Sequence, residues 1–163
     1  SARVIIFDAA APARFRARMR QQYIDKAISY FNEGYACSQS VLLAFAGDYD
    51  IDETAAKLIS STFGGGMGRL REKCGALTGA FMVLGLAHGN TDPKDMQTKL
   101  AAYDKVRELD KRMKDAFTTT VCAEILAKHA REEQVAERKH HSIICRRVVS
   151  ETAGMLYDIL NGK

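Results

Sequence analysis

The chain has 163 residues, 47% of them hydrophobic and 27% charged, which suits one globular domain with a sizeable core. No apolar run approaches the roughly 20 residues that cross a bilayer, and the first residues lack the apolar core of a secretory signal, so a cytoplasmic protein is expected. The net charge of +4 sits wholly in residues 1–20, where Arg3, Arg14, Arg16, Arg18 and Arg20 face one acid, Asp8. No nucleic-acid-binding motif with interleaved aromatics accompanies these arginines, so residues 1–18 read as a basic arm or leader before a single domain, 19–163.

Within that arm, Val4 to Phe7 is a short β-prone run without a partner strand. From about residue 14 the pattern is helical, with Met19, Tyr23, Ala27, Tyr30 and Phe31 on one face and Gly34 closing the helix. Cys37 opens a second helix bearing Val41, Leu42 and Phe45, and Asp52 caps a third. Four glycines in five positions, Gly64, Gly65, Gly66 and Gly68, then argue against regular structure.

A fourth helix, about Lys73 to His88, is apolar nearly all round and reads as the centre of the molecule. Gly75 and Gly79 lie four apart, so a second backbone can approach, either from this chain or from another copy; a homodimer is expected on that ground. His88 reads as a helix C-terminal residue interacting with the dipole. Asp92-Pro93 begins a long charged helix to about Ala116, and Thr118 to Thr120 offer caps for a short helix from Val121 to His129. After a polar stretch, Ser142 caps a last helix whose inner face carries Ile144, Val148, Val149, Leu156 and Ile159. Six or seven helices with no alternating strands predict an all-α, irregular bundle.

Chemistry points to sulfur. Cys37, Cys74, Cys122 and Cys145 each fall in the first turn of a predicted helix, where free backbone N–H groups and the positive dipole end favour thiolate. Arg69, Arg71 and Lys73 beside Cys74, and Arg146 and Arg147 beside Cys145, would add to that effect. Spacings of 37, 48 and 23 positions exclude a C-x-x-C signature, so any centre must be assembled from distant segments. Converging thiolates could hold an iron–sulfur cluster or a zinc ion, whereas two neighbouring thiols could cycle as a dithiol. The glycine loop and Gly75 would let backbone N–H groups approach whatever the cysteines bind, as a nest does. No histidine pair has helical zinc spacing, His140 and His141 read as solvated, and no hydrolase motif is present.

At these residues the chain resembles a known family of redox-active proteins labelled by its C_GCAxxG_C_C cysteine pattern. The resemblance runs through Ala36-Cys37-Ser38-Gln39-Ser40-Val41-Leu42, Phe63-Gly64-Gly65-Gly66-Met67-Gly68 and the core Cys74-Gly75-Ala76-Leu77-Thr78-Gly79. Val121-Cys122-Ala123-Glu124 and Cys145-Arg146-Arg147-Val148 complete the order, over about residues 20–160. It implies redox activity, as an oxidoreductase or electron-transfer component with a redox partner protein that the sequence does not name. Similar domains in iron–sulfur and haem electron-transfer proteins tilt the expectation to a [2Fe–2S] cluster, with zinc as the alternative. The chain lacks C-x-x-C-H, so covalent haem is not expected. Two features depart from the family pattern: Thr118-Thr119-Thr120 stands where glycine is usual before the third cysteine, and the basic arm has no counterpart.

Overall fold

In the computed structural model, residues 10–163 are described; the predicted β-prone run at Val4 to Phe7 lies outside them. They form seven helices: α1 (Ala13–Asn32), α2 (Cys37–Ala46), α3 (Glu53–Ser61), α4 (Gly75–His88), α5 (Met96–Phe117), α6 (Cys122–Glu132) and α7 (Arg146–Leu160). The all-α expectation is met, and β-pairing among the described residues is limited to one antiparallel bridge between Lys73 and Val121. No helix among these residues is long and apolar enough to cross a membrane. Helix α1 starts at Ala13, so Arg14, Arg16 and Arg18 are part of it rather than of a separate arm.

Two apolar helices make the centre. α2 buries Ser38 and every residue from Ser40 to Ala46, and packs chiefly against α4 and α1. α4 buries Gly75, Ala76, Leu77, Gly79, Ala80, Val83, Leu84 and Ala87, and is covered on its other sides by α5 and α7. The glycine face expected on α4 serves contact within the chain. A Cβ on Gly79 would stand 3.0 Å from the Cα and carbonyl carbon of Ser38, and one on Gly75 would stand 2.5 Å from Cys37 Sγ. The surface from which a homodimer was expected is therefore occupied by α2. Ser38 itself donates a hydrogen bond to the Ser60 carbonyl at 2.7 Å, which ties α2 to α3.

Local chemistry sets most helix ends. Asp52 accepts from Ala55 N–H at 2.8 Å and starts α3. Gly34, at φ 102°, ends α1 in a conformation that side chains rarely adopt. α5 begins later than Asp92-Pro93. Asp92 folds into its own turn by accepting from Lys94 N–H, and Asp95 caps the helix by accepting from Thr98 N–H at 3.0 Å. Thr119 serves the approach to α6 by accepting from Val121 N–H at 3.1 Å, while α6 has no side-chain cap.

Two elements differ from expectation. The glycine segment is ordered as a left-handed turn, with φ between 61° and 69° at Gly65, Gly66, Met67, Gly68 and Arg69. Space explains position 66, where a Cβ would strike Cys122 Cβ at 2.6 Å and Glu72 N at 2.8 Å. Ser142, expected as an N-cap, lies inside a π-helical turn (His141–Cys145) that runs straight into α7; its hydroxyl donates back to the Lys139 carbonyl at 3.2 Å.

Candidate functional site

Backbone pairing brings the second and third cysteines together. Cys74 N–H donates to the Thr120 carbonyl at 2.9 Å, Cys122 N–H to the Glu72 carbonyl at 2.6 Å, and Ala123 N–H to the Arg71 carbonyl at 3.1 Å. Lys73 pins the same junction from outside, reaching Asp110 at 2.6 Å and Thr120 Oγ1 at 2.9 Å. Cys37 arrives through the close packing of α2 on α4, its sulfur filling the place of the missing Gly75 side chain. Cys145 is the last residue of the π turn.

All four cysteines line one cleft of about 890 Å3, together with Gly64, Gly65, Gly68 and Gly75. Gly66 is buried behind it against Cys122. None of the cysteines is in a disulfide; Cys74 and Cys122 are buried, and Cys37 and Cys145 are partly so. Among the described residues, no three His, Cys, Asp or Glu side chains are grouped so as to hold a single metal ion.

Helix position holds for three of the four. Cys37 and Cys122 are the first residues of α2 and α6, and Cys74 is the N-cap of α4. Cys145 has helix on both sides and no free N-terminus. The thiolate expectation fails for Cys37, Cys74 and Cys145 in the chain by itself, because burial outweighs the groups that favour charge. Burial pushes the Cys37 thiol up against the lowering effect of the Gly65 N–H. Burial, then the neighbouring Cys37, pushes Cys74 far up despite the N–H groups of Leu77 and Ala76. Cys145 is pushed up to about 12 by burial, then by Cys37 and Cys122, with Arg71 opposing. Charge on one sulfur thus penalises charge on the others, as a cluster of thiols around one space must.

The cations sort differently from their sequence order. Arg69 and Arg71 line the cleft, and Arg71 Nη1 is 3.8 Å from Cys122 Sγ. Lys73 points away to Asp110, and Arg147 turns to Glu133 and His129. His140 and His141 line the cleft, His140 half-buried and His141 exposed as expected, and the His141 ring packs on Phe31 with centroids 4.4 Å apart. His141 opens the π turn that Cys145 ends, so their closeness in sequence was the available signal. His88 ends α4, as expected, and burial, then Lys105, lowers its pKa.

A family profile matches residues 35–159, a span that contains all four cysteines and the glycine turn. No curated protein matches the chain, and no solved structure does. The match covers most of the sequence and all of the cleft lining but Gly34, and the chain belongs to the family described as Putative redox-active protein (C_GCAxxG_C_C).

Proposed function

We propose that Cys37, Cys74, Cys122 and Cys145 act as one electron-transfer centre, with an iron–sulfur cluster as its working group. The observation that carries the reading is the meeting of four distant cysteines on one cleft beside a glycine turn. A single zinc ion, with Zn–S bonds of about 2.3 Å, needs sulfurs drawn tightly around one point. The cysteines of the described residues are not drawn around one point in that way, so binding any metal would require the sulfurs to close in, and the cleft of about 890 Å3 has room for a polynuclear group. Its ligands would be the four thiolates, and when bound it would supply one-electron transfer.

The chain's own part follows from its electrostatics. Burial keeps Cys37, Cys74 and Cys145 protonated at neutral pH, so ligation must release their protons. The Gly65, Ala76 and Leu77 N–H groups and the Arg71 guanidinium then stabilise the sulfur charge, while the apolar walls Ile125, Ile144 and Val148 limit water.

A second reading is supported by the coupling of Cys37 and Cys74, two neighbouring thiols with no metal geometry. Two such thiols could reduce a partner's disulfide, forming one disulfide here and two thiols there, with both protons passing to the partner's sulfurs.

Protein purified without oxygen should contain iron and acid-labile sulfide and absorb in the visible. Cys74→Ser should abolish that signal, while Ser61→Ala, at the same cleft, should keep it. Metal-free protein that loses a pair of thiols on mild oxidation and regains them on reduction would favour the dithiol. Stoichiometric zinc, or thiols inert in both states without metal, would reject redox function.

A further inference from the structure

The cleft is far larger than a set of thiols requires, and its volume of about 890 Å3 lies in the range of small-molecule sites. Its lining carries two arginines against one acid. Arg69 and Arg71 line it, and neither forms an ion pair with a carboxylate among the described residues. The contrast with nearby cations is direct: Lys73 is neutralised by Asp110, and Arg147 by Glu133. Glu137 is the acid in the cleft lining, and it pairs with neither guanidinium.

Both arginines hold left-handed backbone, φ 63° and 62°, a conformation costly for a side-chain-bearing residue. Both side chains reach the same point beside Gly65, and His141, whose pKa burial, then Arg69 and Arg71, lowers, lines the same cleft, where the carboxylate of Glu137 pairs with neither arginine. Arg71 also touches Cys122 sulfur at 3.8 Å, so whatever it binds lies next to a thiol. A guanidinium fork matches two oxygens of an oxyanion, and an imidazole adds a third donor.

We propose that Arg69, Arg71 and His141 form a binding subsite for a small oxyanion-bearing molecule, held at the cleft in front of Cys122 as the redox centre's small-molecule partner. The redox role of that ligand rests on the function proposed above, whereas the subsite stands on its own geometry.

Inorganic sulfate is the probe, titrated into the reduced full-length chain at low ionic strength and followed by amide NMR, with chloride at matched ionic strength as control. Saturable shifts are expected at Gly65 to Arg71 and at His141, and Arg71→Gln should weaken binding at least about tenfold. Arg71→Lys, which keeps the charge but loses the fork, should fall between the two. Unchanged circular dichroism would show that each variant folds. Linear shifts shared with chloride, shifts gathered at Arg14 and Arg18 instead, or equal affinity in Arg71→Gln would overturn the subsite. Sulfate binding by a protein with neither metal nor oxidisable thiols would retain the subsite and discard its redox role. A redox-active protein that ignores sulfate would do the reverse.

Discussion

An alanine methyl at position 79 would press on backbone, 3.0 Å from the Ser38 carbonyl carbon, and backbone cannot swing aside as a side-chain tip can. α2 and α4 would have to part, so Gly79→Ala should cost about 1–3 kcal/mol in urea unfolding. Gly85, exposed on the same helix, has nothing within 4 Å of its Cβ position, and Gly85→Ala should add about 1 kcal/mol through helix propensity. In the sequence both are helical glycines; their opposite signs come from a neighbour visible only once helices pack. The same limit governs the cations beside the cysteines. Lys73 sits in a bridge, where successive side chains take opposite sides, so adjacency to Cys74 sends it away. Arg147 follows Cys145 by two helical positions, a rotation of about 200°, and so faces elsewhere.

The element that holds the site together is the junction between residues 71–74 and 120–123, fastened by three backbone hydrogen bonds and the Lys73–Asp110 pair. Burial opposes ionisation of Asp110, but hydrogen bonds from Lys114 and Lys73 outweigh it and hold the carboxyl below its ordinary 3.8. A depressed carboxyl contributes fully above its ordinary value, and the contribution is lost as pH falls from there through the lower folded value. Asp110→Asn should therefore cost about 1 kcal/mol near neutrality and narrow the stability difference between about pH 5 and about pH 3, measured by urea midpoints. Helix order and the Asp52 cap were legible because they follow from periodicity and local capping. The left-handed turn and the π turn were not. Glycine permits many conformations, and here Cys122 and the Glu72 backbone fix one, while one extra residue in a helical run leaves no mark on composition.

Across the whole molecule, the family was legible as an order of motifs, but the protonation of the cysteines that line the cleft was not, since burial depends on everything packed around them. Thiols whose folded pKa is raised favour the native state while protonated. That advantage is complete below the ordinary 9.0 and is lost as pH rises above it. The urea midpoint of the metal-free protein should fall between about pH 8 and about pH 10, and Cys145→Ala should flatten the decline. Constant stability over that interval would contradict the burial described for these sulfurs.

In an unravelled chain, the 37, 48 and 23 positions between successive cysteines leave them unable to act in concert. Any guest that grips all four therefore recognises the native chain alone, and by mass action each prolongs the life of the other. Stripping such a guest should raise susceptibility to proteolysis across helices α2, α4, α6 and α7 together, because the four strands of that knot loosen as one.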